Sequence, residues 1–204
     1  MKWLGHLKTV ILHKYWVFRY ALLAGIPWRG LVHDLSKFSP TEFGESIHYY
    51  TGHRSPILLA REMNNYSRAW LHHKGCNNHH LEYWVDNSAD GKLISVPMPF
   101  LCALELVCDR LGAARAYLRK EFSVADQLQN LIRENEFSPL VHPQTQLFIR
   151  LMFEELAKAT DYRTFRNTLR SASNVYRRAW DEAVCTPEPC SIQIEILGNN
   201  NADR

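Results

Sequence analysis

Four prolines constrain this chain more than any other feature: Pro27, Pro40, Pro56 and Pro143 each stand where a helical segment opens. Proline has no amide hydrogen to lose in the first turn, and its fixed φ already suits a helix. Ser39-Pro40-Thr41-Glu42 adds a capping box, with Ser39 as cap and Glu42 reaching back. Ser55-Pro56 repeats the start, and His142-Pro143 opens a helix to about Ala159. Residues 3 to 24 carry Leu4, Leu7, Ile11, Tyr15, Phe18 and Leu22 at the three-and-four spacing of an amphipathic helix, which Gly25 ends. From Met98 to about Lys120, Leu101, Leu104, Cys108, Leu111 and Leu118 form a second stripe. Asp109 lies beside Cys102, Glu105, Gly112, Ala113 and Ala116, a face of small residues that admits a close neighbour. Ser123 caps a helix to about Asn135. Asp161 caps a last long one, with Tyr162, Phe165, Leu169, Ala172, Tyr176 and Trp180 on its apolar stripe. Between Asn87 and Pro99 the pattern allows at most a short extended piece at Leu93 to Val96. The chain reads as all-α.

Its 204 residues are ample for one domain with a buried core. Residues 1–120 read as a helical core, 121–184 as a helical extension packed on it, and 185–204 as a flexible tail. A net charge of +3 is too small to declare a nucleic-acid binder. Five cysteines, an odd number, form no framework of pairs, and Lys8, His13 and Lys14 interrupt any signal-like start. A reduced, cytoplasmic setting follows as the expectation. Arg19 and Pro27 break the longest apolar stretch, so no membrane span is expected.

Chemistry concentrates in Leu31-Val32-His33-Asp34-Leu35-Ser36-Lys37-Phe38. Adjacent residues on a helix point about 100° apart, so His33 and Asp34 can share an ion only if other helices close the ring. Imidazole nitrogen with carboxylate oxygen suits a borderline or hard divalent metal. His13 precedes the pair and Asp109 follows it. In Trp70-Leu71-His72-His73-Lys74 and His79-His80-Leu81-Glu82, two histidine pairs flank Gly75-Cys76-Asn77-Asn78, where Asn78 is expected to cap a following helix.

The order His13, His33-Asp34 with Lys37, then Asp109 resembles the HD-domain superfamily of metal-dependent phosphohydrolases, over roughly residues 6 to 118. The stretches HDLSKFSPTEF, WLHHKG, NNHHLEYW and CDRLGA resemble more closely a family of bacterial and phage proteins of unknown function, regarded as HD-like. The resemblance implies an HD-like helical bundle. It also implies one or two divalent ions (manganese, iron, cobalt or zinc) held by His13, His33, Asp34 and Asp109, with His73 and His80 as further candidates. Lys37 and Asp34 would serve catalysis, and Lys37, Lys74, His72 and His79 are candidate contacts for a substrate phosphate. The implied activity is hydrolysis of a nucleotide or other small phosphate ester by a metal-activated water. No base stands out; Glu42 and Glu45 are candidates without a place.

Other readings stay open. His33 and Asp34 can form a helix-end cap and an ion pair with Lys37, His13 can simply be packed, and Asp109 can make a salt bridge. Cys185 and Cys190 can chelate, although two thiolates in a tail rarely suffice. The whole can be a catalytically inactive HD-like protein that binds a nucleotide or a protein partner. Arg163, Arg166, Arg170 and Arg177 on the last helix admit nucleic-acid phosphates, a reading the core-like aromatics beside them do not favour. A homodimer face among the aromatic residues is also open.

Overall fold

The computed structural model describes residues 1–133, 141–184 and 191–192. Helix α1 (Lys2–Ala24) ends where Gly25 turns left-handed, at φ 83°. Then come α2 (Pro27–Val32), a 3-10 turn (Leu35–Phe38), α3 (Pro40–Tyr49), α4 (Pro56–Asn64) and α5 (Arg68–Cys76). A second 3-10 turn (Leu81–Trp84) leads into the hairpin β1 (Val85–Asn87) and β2 (Leu93–Ser95), in which Val85 pairs with Ser95. The remaining helices are α6 (Phe100–Leu118), α7 (Val124–Arg133), α8 (Pro143–Ala157), α9 (Tyr162–Arg170) and α10 (Ala172–Val184). A two-residue strand, β3 (Ser191–Ile192), pairs antiparallel with β2. The fold is all-α, with a minor sheet at its margin. The other tail residues, Cys185 and Cys190 among them, lie outside the described residues.

All four prolines occupy the first helical position, as their chemistry predicts. The core is built on α6. Leu104, Val107, Cys108 and Leu111 meet Val17 and Ala21 of α1, Phe148, Ile149, Met152, Phe153 and Leu156 of α8, Leu169 of α9, and Ala172 and Ala179 of α10. One continuous core therefore joins residues on both sides of position 120. Gly112 brings α1 and α6 into near contact, since a Cβ there would lie 2.4 Å from Val17 Cγ2 and 2.9 Å from the Val17 nitrogen. That is the close approach which the small-residue face around Asp109 predicts.

Several expectations are corrected. The stripe read on α1 is largely solvent-facing: Leu4, Ile11, Tyr15 and Leu22 are exposed, while His6, Val10, His13, Val17, Tyr20 and Ala21 turn inward. Helix α1 carries apolar residues on more than one face. The inward one is chosen by the small-residue contact with α6 and by the polar cluster below, neither of which local spacing encodes. On α6, Leu101 and Leu118 are likewise exposed. The last long helix is two, α9 and α10, parted at Ser171, so Arg177 is not on the same helix as Arg163, Arg166 and Arg170. Helix α5 runs through Gly75 to Cys76, and Asn78 caps nothing: its side chain accepts from Arg29. The segment after it is a 3-10 turn rather than an α-helix.

Candidate metal centre

His33 and Asp34 leave the helix that precedes them. Helix α2 stops at Val32, His33 is extended at ψ 130°, and Asp34 adopts the left-handed conformation at φ 52°. A non-glycine residue there is held by its surroundings at some energetic cost. Lys14 of α1 supplies part of the hold, donating to the carbonyls of Leu31 and His33. The turn thus replaces the divergent helical placement expected for adjacent residues, and both side chains enter one buried cluster.

Three candidate ligand groups meet there: two share Asp34, and the third joins His33, His79 and Glu105 on the outer side of the rings. The first joins His13, His33, Asp34 and Asp109. From His13 Nε2, His33 Nε2 lies at 3.3 Å, Asp34 Oδ2 at 3.3 Å and Asp109 Oδ1 at 3.2 Å. His33 Nε2 is 3.1 Å from Asp34 Oδ2 and 3.3 Å from Asp109 Oδ1. An ion with bonds of about 2.1 Å would separate neighbouring ligands by about 3.0 Å in an octahedron and about 3.4 Å in a tetrahedron. The donors already stand at the edge lengths of such a polyhedron.

The second group joins Asp34 with His73, His79 and His80. His73 Nε2 and His79 Nε2 each lie 3.4 Å from the other carboxylate oxygen, Asp34 Oδ1. Asp34 Oδ1, His79 Nε2 and His80 Nε2 are buried with no hydrogen-bond partner. Buried polar atoms are almost always satisfied, so three orphans converging on one point fit a cation better than a packing accident. The donors are nitrogen and oxygen throughout, the set that borderline and hard divalent ions take.

Around this cluster runs a layer of carboxylates that fixes the rings. Glu105 of α6 accepts from His33 Nδ1 at 2.9 Å and approaches His79 Nδ1 at 3.2 Å, while its second oxygen accepts from Arg29 Nε at 2.6 Å. Glu42 of α3 accepts from His73 Nδ1 and His72 Nδ1, both at 2.7 Å. With Nδ1 donating outward, Nε2 is the nitrogen that His33, His73 and His79 turn inward, and it is the one that would face an ion; this is how proteins orient metal-binding histidines.

Without an ion the cluster balances its charge internally. Burial disfavours the charged forms of Asp34 and Asp109, but His33 and Lys37 at Asp34, and His13 and His33 at Asp109, outweigh it and hold both well below the usual carboxylate range. His33 is driven well above its ordinary value by Asp34, Asp109 and Glu105, against the burial penalty. Burial also penalises Glu105, yet its histidine hydrogen bonds bring it down to about 2. Burial and the neighbouring His79 push His80 down to about 2, leaving it a neutral donor of electron pairs.

The expected residues divide as follows. His13, His33, Asp34 and Asp109 come together, and His73 and His80 join them. His79, expected at a phosphate, stands in the second ligand group. Lys37 Nζ sits 2.6 Å from Asp34 Oδ2 and braces it. His72 lies outside all three groups, bound to Glu42, and Lys74 belongs to none. Glu42 does not close its capping box: Ser39 Oγ accepts from the Glu42 amide at 3.3 Å, but the Glu42 carboxylate turns inward to the histidines. Glu45 is used by the backbone, accepting from the Ala69 amide at 2.5 Å. Glu105 and Arg29 are the residues that sequence reasoning missed. The available signal was Glu105's place one turn before Asp109 on the same face.

Among the described residues no helix is long and apolar enough to cross a membrane. No curated protein and no solved structure matches the chain. The model of a family of unknown function, DUF5662, matches residues 2–155, a span that contains every residue of all three ligand groups and the carboxylates behind them. By that match over most of its length, the chain belongs to the DUF5662 family.

Proposed function

We propose that this protein is an HD-like, metal-dependent phosphohydrolase acting on a nucleotide or another small phosphate ester. The observation that carries the reading is the shared carboxylate. Asp34 turns Oδ2 to His13, His33 and Asp109 and Oδ1 to His73, His79 and His80, so one residue can link two ions. When bound, one or two divalent ions of manganese, iron, cobalt or zinc would supply Lewis acidity, lowering the pKa of water and neutralising phosphoryl charge. The protein's own part is orientation. Glu105 and Glu42 hold three imidazoles in the tautomer that ligates, Lys14 pins the turn carrying His33 and Asp34, and Lys37 braces the Asp34 carboxylate.

Elemental analysis of the purified protein tests the metal, and a screen of phosphate esters with that metal tests the activity. Near-stoichiometric metal and turnover, both lost in Asp34→Ala, are expected. Metal without turnover on any ester would leave an HD-like binding protein in place of an enzyme. Unaltered hydrolysis by Asp34→Ala would refute the reading.

A further inference from the structure

A cavity of about 280 Å³ opens from the ligand groups, with His13, His73, His80 and Asp109 on its inner side. That volume lies near the lower bound of about 300 Å³ for small-molecule sites, so a ligand must be compact. Its outer side is formed by His6, Thr9 and Val10 of α1, Ser46 of α3, Ile57 of α4 and Tyr117 of α6. Two properties of this lining restrict what can enter.

The first is charge. Apart from the metal-binding groups, the charged side chains on the lining are Lys37 and Glu42, and both are committed. Lys37 is paired to Asp34, and Glu42 accepts from His72 and His73. Among the described residues no arginine lines the cavity. A phosphate held at the ligand groups would be neutralised by bound ions, whereas further phosphates would lie along a mainly apolar lining with no free counter-charge, which is costly.

The second is His6. The residue is 7% exposed, its ring lies against Phe43 and Tyr50 with centroids at 5.2 and 5.5 Å, and its Nδ1 is buried without a hydrogen-bond partner. Burial, helped by Lys37, holds its pKa down at about 4, so the ring is uncharged at neutral pH and has one donor and one acceptor. Thr9, by contrast, is already engaged by the Gly5 carbonyl at 3.1 Å and the Tyr50 hydroxyl at 2.9 Å. The Nε2 of His6 is not sealed as its Nδ1 is, and among the described residues it has no hydrogen-bond partner either, so it is through Nε2 that His6 brings unspent hydrogen-bonding capacity to an otherwise largely apolar wall.

We propose that the cavity receives the organic part of a compact phosphomonoester, that His6 determines specificity by hydrogen-bonding an uncharged polar group on it, and that polyphosphates are excluded. The inference rests on the phosphohydrolase reading for the phosphate and goes beyond it in naming the class of ester and the residue that selects it.

The test uses the metal-loaded, full-length protein with uridine 5′-monophosphate, ribose 5-phosphate, uridine 5′-triphosphate and phenyl phosphate. At least one of the two polar monoesters should exceed the triphosphate tenfold or more in kcat/KM. His6→Phe keeps a ring against Phe43 and Tyr50 but removes the hydrogen bonds. It should lower the preference for that monoester over phenyl phosphate about tenfold, through KM, and His6→Gln should recover part of it. Titration calorimetry of the same compounds reads the same ratios as affinities, so a protein that binds without turnover removes the hydrolase reading and still decides this one. A triphosphate accepted as well as the monoesters, a preference unmoved by His6→Phe, or no binding of any monoester would overturn the proposal.

Discussion

Replacing Glu105 by glutamine would test whether the carboxylate layer governs metal binding. The change keeps size and shape and removes one acceptor. Glu105 Oε1 faces both His33 Nδ1 and His79 Nδ1, and Oε2 faces Arg29 Nε. If the glutamine oxygen stays with the histidines, its amide hydrogens point at the Arg29 donor. If it flips, the same hydrogens face both imidazoles, which can keep the bonds only by accepting at Nδ1. The ring proton then moves to Nε2, the atom aimed at Asp34, and that nitrogen can no longer ligate. Either outcome loses charge-assisted hydrogen bonds worth about 1.5–3 kcal/mol each. Loss of such an orienting partner usually weakens a metal site about 10- to 100-fold, or about 1.4–2.7 kcal/mol. Competition of wild type and Glu105→Gln against a chromophoric chelator would measure it, with circular dichroism to establish that both are folded. A folded Glu105→Gln protein with unchanged metal affinity would refute the argument that tautomer control resides in Glu105.

Two further predictions follow from the same geometry. Gly112→Val would press a side chain into Val17 and separate α1 from α6, the helices that carry His13 and Asp109. It should cost about 1–3 kcal/mol in urea denaturation and lower bound metal as well, and an unaltered denaturation midpoint would show that the contact can relax. The pH dependence of metal binding follows from His33. Its pKa is raised well above 6.5, so in the metal-free protein it holds a proton at neutral pH that an ion must displace. Apparent affinity should therefore be weaker at pH 6 than at pH 8, and calorimetry in buffers of different ionisation heat should record proton release. Absence of released protons at pH 7 would contradict the protonated His33.

Much of the helical layout was legible because its signals are local. Proline at a first turn, glycine after a last one and a serine cap act within four residues, and Pro27, Gly25, Ser39-Pro40 and His142-Pro143 behave as their chemistry requires. The candidate ligands His13, His33, Asp34 and Asp109 were legible through the order in which they occur, a pattern that resemblance supplied and periodicity alone would not. The break after α5 was legible too, but not its consequence, the return of His79 and His80 to the site.

Tertiary structure decided the rest, because those choices depend on partners far away in the chain. Which face of α1 turns inward is settled by Gly112, ninety-five residues beyond Val17, and by a polar cluster that makes His6 and His13 interior residues. The second role of Glu42 depends on histidines thirty and thirty-one positions later, and that of Glu105 on a histidine seventy-two positions earlier. A capping box and an inward carboxylate look alike in sequence, since each needs only a glutamate three residues after a serine. Buried charge separates them: once His73 lies beside Glu42, pairing with it is worth more than closing the box, because the Ser39 amide already donates to the Ser36 carbonyl at 2.8 Å.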